Sequence, residues 1–348
     1  MMEIRALYRV LAAVLPLAAL SGGCAAPIES ADGSREAQAL SPQTTIDDAF
    51  ATPAPFAIGH RGFGNNLGED PSRPIENTVG AFRAGYEAGA RMVELDVQLT
   101  KDGEVVVHHD DFLPDYTCIN SLTRAELEAR APQLPSLQAA LNTAKQFNAK
   151  QPNSGLLMVE VKPPSPLCDP SDTGDVPVTL ATVALIRKHG YGGQVILTSF
   201  SPTIMATAAA AAPEMRRALD LNALQLASKE VVEYYTGLKV TEITKGNGLG
   251  LRWAEVGPLY RLPAYDSVSH FLGIAKFGVQ SHSVLLERLV PLQAPSQAAA
   301  LVAGIHGLGM KAVVWTVNSA PEWKFLASVG FDAIITDTVA EGVALQPK

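Results

Sequence analysis

Glu94-Leu95-Asp96 is followed, across a short polar turn, by His108-His109-Asp110, and Glu160-Val161-Lys162 repeats the acid-x-charge spacing further on. Residues two apart on an extended chain share one face, so Glu94 lies beside Asp96 while Leu95 points to the opposite side. Glu94, Asp96 and Glu160 together make a hard oxygen set suited to one divalent cation, Ca²⁺ or Mg²⁺. This set lacks the cysteines and multiple histidines that favour structural zinc. Lys162, on the strand face of Glu160, would add an anion-binding charge beside that cation. A histidine near neutral pKa brings a proton donor or acceptor to the same place.

The elements that must position these groups follow from the neighbouring residues. Lys101-Asp102-Gly103-Glu104 predicts a tight two-residue hairpin turn, because Asp-Gly favours left-handed backbone angles. Pairing Lys101 with Glu104 sets Asp96 opposite His109 on one face and turns His108 away. The competing reading is a half-exposed sheet edge with histidines flanking a loop, since such strands alternate in the same way.

Strands are predicted at Phe56–His60, Met92–Val97, Glu104–His109, Gly155–Lys162, Gln194–Ser199, Arg216–Leu221, Ile274–Val279, Lys311–Val317 and Asp332–Thr336. Helical segments are predicted from Glu76 to Glu87, from Leu137 to Ala144, and over Leu180–His189, Pro202–Ala211, Gln297–Gly307 and Pro321–Val329. Strand-then-helix alternation argues for a parallel α/β architecture. The expectation is a TIM-like (β/α)8 barrel with an inserted hairpin, Glu104–His109 being the antiparallel irregularity; a doubly wound sheet is the alternative. Residues 111–135 read as a surface excursion and 222–273 as an elaborated loop.

The 348 residues carry a formal net charge of −8, which argues against the basic stripe of a nucleic-acid-binding surface. Arg5 and Arg9 precede a short apolar run, Val10–Leu20, too short for an ordinary membrane-spanning helix. Ser21, Gly22 and Gly23 then lead to Cys24, a pattern that resembles a bacterial lipoprotein signal. The expectation is a signal peptide at 1–23, lipidation of Cys24, a flexible tether at 24–54 and one catalytic domain at 55–348. Export to the periplasm with outer-membrane anchoring follows, ordinary secretion being the alternative. Cys118 and Cys168 remain, and an exported chain permits a disulfide between them; two buried thiols are the alternative.

In order along the chain, His60-Arg61-Gly62, Glu76-Asn77-Thr78, Glu94-Leu95-Asp96-Val97, His109-Asp110, Glu160-Val161-Lys162, Trp315-Thr316-Val317-Asn318 and the terminal Gly330–Asp337 stretch resemble the glycerophosphodiester phosphodiesterase family. The resemblance implies metal-dependent hydrolysis of small glycerophosphodiesters to sn-glycerol 3-phosphate and an alcohol. It assigns acid–base roles to His60 and His109, metal ligation to Glu94, Asp96 and Glu160, and phosphate contact to Arg61 and Lys162. Glu76 and Asn77 are supporting residues, and Trp315 is either a substrate-contacting pocket wall or core. In the mechanism this implies, one histidine deprotonates the glycerol hydroxyl beside the phosphate and the other protonates the leaving alcohol. Water then opens the resulting cyclic phosphate. Alternatives are lysophospholipase D-type activity on bulkier lipids and a non-catalytic surface binding protein. Ser199, His270 and His282 receive no role, and the oligomeric state is not addressed.

Overall fold

The computed structural model describes residues 43–52, 55–151, 153–165, 167–221, 271–275, 295–307 and 309–347. The signal-peptide and Cys24 expectations fall outside them, as do residues 222–270 of the expected loop, with His270, and His282; the last three residues read as loop, 271–273, instead lie in a strand. The strands are β1 (Phe56–Gly59), β2 (Met92–Leu99), β3 (Val105–Val107), β4 (Leu156–Val161), β5 (Val195–Ser199), β6 (Arg216–Leu221), β7 (Phe271–Ala275), β8 (Lys311–Trp315) and β9 (Ala333–Thr336). They form one sheet ordered β1-β9-β8-β7-β6-β5-β4-β2-β3, parallel throughout except for the antiparallel β2–β3 pair.

The expected TIM-like (β/α)8 barrel requires correction. An evenly sealed barrel joins neighbouring strands along full ladders. Here β1 meets β2 only through Ile58↔Met92 and Gly59↔Val93, whereas β2 meets β4 from Met92 to Val97. The far end of the same β2 edge, Val97 to Leu99, is taken by β3. Among the described residues the result is an open α/β sheet of nine strands, whose β1 touches β2 through only two residue pairs, rather than a closed (β/α)8 barrel with a hairpin added.

The hairpin register also differs from expectation. Leu99 pairs with Val105 and Val97 with Val107, and Thr100 N donates to Glu104 O at 2.9 Å. The turn therefore holds three residues, Lys101 to Gly103, with Gly103 in the left-handed region at φ 84°. Thr100 explains the shift: its hydroxyl donates to Asp102 Oδ1 and accepts from Glu104 N, closing the longer turn. In this register Asp96 O accepts from His108 N, not from His109.

Alternation along the strands separates two cores. Val93, Leu95, Val97, Leu157, Val159 and Val161 face the helices, in a cluster with residues such as Phe82 and Leu141. Phe56, Ile58, Met92, Leu156, Met158, Ile196 and Ile335 face inward. The helices are α1 (Ile46–Phe50), α2 (Val79–Glu87), α3 (Arg124–Arg130), α4 (Leu137–Lys150), α5 (Asp175–Lys188), α6 (Pro202–Ala211), α7 (Pro295–Gly307), α8 (Ala320–Ser328) and α9 (Val339–Ala344). Side chains of Thr78, Ser136 and Ser201 accept N–H bonds at the starts of α2, α4 and α6, as capping predicts.

Two helix readings change. α5 begins five residues before the expected Leu180 because Pro177 sits in its first turn, where a missing N–H costs nothing. α1 lies inside the stretch read as a tether. Thr45 and Asp48 form its capping box, and Ile46, Ala49 and Phe50 bury themselves in the inward core. The 111–135 excursion has a small core of its own, including Leu113, Ile119, Leu127 and Leu134. Cys118 and Cys168 are joined in a disulfide that ties this excursion to the segment after β4.

Peptide mapping without reductant is expected to recover Cys118 and Cys168 as one cross-linked pair. Replacing both with Ala should lower the unfolding free energy by about 2–4 kcal/mol in chemical denaturation, with the fold retained. Recovery of either cysteine as a free thiol would count against the bond.

Candidate active site

Along β2, β4 and β9 the inward face changes from apolar to polar toward the C-terminal end. Met92 gives way to Glu94 and Asp96, Leu156 and Met158 to Glu160 and Lys162, and Ile335 to Asp337. Parallel strands run the same way, so these polar ends converge at one edge of the sheet, the usual place for an α/β site. They line a cleft of about 690 Å³ that includes His60, Arg61, Glu94, Asp96, His109, Glu160, Lys162 and Trp315.

The β1–α2 loop supplies Arg61, Glu76 and Asn77. Arg61 and Asn77 both adopt positive φ, 47° and 55°, and interlock through Asn77 N to Arg61 O at 2.9 Å. Such backbone is costly and persists only where surroundings hold it. Gly62 is required here, because a Cβ would fall 2.7 Å from the Ala81 carbonyl carbon. The loop then docks on β2: Arg61 N donates to Glu94 Oε2 at 2.8 Å, and Asn77 Nδ2 donates to Asp96 Oδ2 at 2.8 Å. Glu76 receives Arg61 Nη1 at 2.6 Å and Asn66 N at 3.0 Å.

Glu94, Asp96 and Glu160 each offer an oxygen within 4.8 Å of the others. Burial pushes Glu94 well above the ordinary carboxylate range, and the Asp96 and Glu160 charges add to that. Burial likewise raises Glu160, against the opposing pull of Lys162. Burial acts on Asp96 in the same direction, but Lys162, His109 and Arg61 outweigh it and hold Asp96 far below its usual value. Lys162 Nζ lies 3.0 Å from Asp96 Oδ1 and 2.6 Å from Glu160 Oε1. Although burial disfavours its charge, these carboxylates keep it a cation. Glu94 Oε1 is buried without a hydrogen-bond partner among the described residues. An orphaned carboxylate oxygen aimed into an acidic cluster fits a hard divalent cation.

The two histidines are held differently. His60 Nδ1 is 2.7 Å from Asp337 Oδ1, and Asp337 also accepts from Asn65 N and Asn318 Nδ2. Burial would raise Asp337, yet the His60 hydrogen bond and charge with these donors lower it to about 2. His109 Nδ1 is 2.7 Å from Asp110 Oδ1 on the exposed side of the cleft, and that bond holds Asp110 below its usual range. His109 reaches the cleft because the chain leaves the ladder after Val107, not through the predicted pairing. Trp315 is both wall and core: it packs partly on the inward cluster and meets Phe200 edge-to-face at 5.6 Å.

Asp337, Asn318, Asn65 and Asp220 were not singled out as site residues by the sequence reading. Asp337 and Asp220 carry one usable signal, an acid at the inward end of a predicted strand. Burial pushes Asp220 well above the carboxylate range, and nearby Glu160 adds to the shift, against its hydrogen bond from Thr198.

The model of the glycerophosphoryl diester phosphodiesterase family matches residues 60–341, and the chain belongs to that family. A phosphodiesterase of Oleispira antarctica, solved with the product sn-glycerol-3-phosphate, aligns with a TM-score of 0.57 at 20% identity, over 85% of this chain and 98% of that one. A glycerophosphodiester phosphodiesterase of Parabacteroides distasonis aligns at 0.58 and 18% identity, over 84% and 97%. These likenesses concern the fold. A glycerophosphocholine phosphodiesterase of Eremothecium gossypii is 54% identical over 54 residues, 15% of this chain and 4% of that protein. The matched stretches span between 4% and 20% of the length of the first curated relatives.

Asp337 has a folded pKa of about 2 against an ordinary 3.8. Its contribution is therefore complete above about pH 4 and disappears as pH falls from about 4 to about 2. Denaturation of the wild type and D337N should differ by about 2 kcal/mol near neutrality, and the gap should narrow through that window. A gap independent of pH would refute the assignment.

Proposed function

We propose that the protein hydrolyses glycerophosphodiesters to sn-glycerol 3-phosphate and an alcohol. The observation that carries this reading is the pair His60 and His109, each with a carboxylate oxygen 2.7 Å from Nδ1, lining one cleft with Arg61, Lys162 and the acidic cluster. A carboxylate at Nδ1 favours the proton there and leaves Nε2 to exchange protons with substrate. One histidine takes the proton of the glycerol hydroxyl as its oxygen bonds to phosphorus. The other gives a proton to the departing alkoxide, and water then opens the cyclic phosphate with the roles reversed.

Arg61 and Lys162 hold the phosphoryl oxygens while their remaining N–H groups stay paired with acids. Glu94, Asp96 and Glu160 would hold one Ca²⁺ or Mg²⁺, which supplies charge neutralisation where the phosphorane oxygens become more negative. Glu76 and Asn77 keep Arg61 and Asp96 aimed. Trp315, with Phe200, offers an apolar wall to the glycerol or leaving-group carbon atoms.

The cleft volume of about 690 Å³ favours a second reading, lysophospholipase D-type cleavage of bulkier lipids. A mass-resolved assay on glycerophosphocholine, glycerophosphoethanolamine, glycerophosphoglycerol and lysophosphatidylcholine separates the two. Turnover of none of them would support a binding role instead. From the pattern of residues 1–24 we also propose export with lipidation at Cys24, which intact mass of the mature chain tests. Among the described residues no helix is long and apolar enough to cross a membrane.

Chelation is expected to stop turnover, and added Mg²⁺ or Ca²⁺ to restore it. Full activity in a preparation shown metal-free by elemental analysis would exclude the metal role. H109N should lose roughly 10²–10⁴-fold in kcat, the scale of a positioned proton-transfer group. H108N, outside the cleft lining, should lose far less at equal thermal stability. An active H109N beside an inactive, folded H108N would reverse the assignment.

A further inference from the structure

We propose that Asp111 and the Cys118–Cys168 disulfide form a clasp that positions His109, an inference that rests on the proton-transfer role given to His109 above. His109 needs such help. It stands on a bend beyond the end of β3, its ring is 37% exposed, and its carboxylate partner Asp110 is 54% exposed. A pair that open to water does little to hold a side chain in one place. His60 contrasts with it, since its ring and Asp337 are 15% and 17% exposed.

The backbone beside His109 is tied to β2 through His108 N to Asp96 O at 3.0 Å, and a second set of ties lies two residues further on. Asp111 is buried, and its Oδ2 accepts from Ser165 N at 2.6 Å. Its backbone oxygen accepts from Ile119 N at 2.9 Å. Ser165 follows Lys162 closely, so this one carboxylate ties the His109 segment to the segment that carries the phosphate-facing cation. The disulfide closes the same loop a second time, and Asn120 Nδ2 adds a bond to Cys168 O at 2.9 Å. From the sheet side, Gln98 Nε2 donates to His109 O at 3.1 Å.

A small cavity lies among these links. Gln98, Asp111, Asn120 and Pro164 line a cavity of about 70 Å³. Next to that cavity, packing contributes fewer contacts, so the polar bonds and the one covalent bond carry more of the segment's position. The excursion keeps its separate core of Leu113, Ile119, Leu127 and Leu134. Opening the clasp therefore loosens His109 without unfolding the excursion. Asp111 and the cysteines touch no substrate in this arrangement and act through His109.

Steady-state kinetics on glycerophosphocholine, run well below the thermal transition, test the clasp in D111A and in the C118A/C168A double variant. Each is expected to lower kcat roughly 10- to 100-fold, the cost of misplacing a reacting group by about an ångström. KM should move less than about threefold. Introduced into H109N, the same changes should cost less than about twofold, because no imidazole remains to be misplaced. Equal losses in the wild-type and H109N backgrounds would show a merely structural role and overturn the proposal.

A second readout does not depend on turnover. Histidine-labelled protein, assigned with H109N and H60N, should show the His109 ring resonances shifting or broadening in both clasp variants while those of His60 stay. Unchanged His109 resonances overturn the clasp whether or not glycerophosphocholine is hydrolysed. A wild-type chain inert toward the substrates, with His109 resonances that respond as expected, counts against the functional reading alone.

Discussion

Three carboxylates share a water-poor floor, and the need to tolerate that charge constrains the rest of the cleft. Glu94, Asp96 and Glu160 lie within 4.8 Å of one another, where two unit charges in a protein surrounding repel by about 4 kcal/mol. Asp96 stays ionised because Lys162, Arg61 and Asn77 all point at it. The other two acids receive less compensation and are driven toward their neutral forms. A bound divalent cation would change that balance, because its charge would offset the repulsion among the three carboxylates.

The loop after β1 is shaped by the same constraint. Arg61 and Asn77 hold left-handed backbone so that one peptide N–H and one amide reach Glu94 and Asp96. Those contacts satisfy carboxylate lone pairs that water does not reach. Beneath them, the inward faces are closed by Phe56, Ile58, Met92 and Ile335 with Phe50 of α1. The apolar lower half closes the ionic upper half from below, and its low dielectric strengthens the charge interactions next to it.

The histidines enter this field from opposite kinds of support. His60 directly follows β1 and meets Asp337, directly after β9, inside a network with Asn318 and Asn65. His109 stands on a bend with its acid beside it in sequence. One imidazole is thus held by a carboxylate from a distant part of the chain, the other by a carboxylate next to it in sequence.

Sequence by itself determined the elements and the chemistry they carry. Alternation is a local property, so the strands with Glu94, Asp96, Glu160 and Lys162 on one face were legible, and so were capped helices such as Pro202–Ala211. The grouping of those acids needed only that parallel strands end together. Tertiary structure decided what depends on partners far along the chain. Phe50 is an apolar residue in a polar stretch until the inward core receives it. Asp337 is one acid among many until the sheet brings it to His60, 277 residues away. The hairpin register turned on one Thr100 hydroxyl, a side-chain bond that hydrophobic pattern does not weigh. The seam between β1 and β2 is a competition for one strand edge, and edges are shared out only when the whole sheet forms.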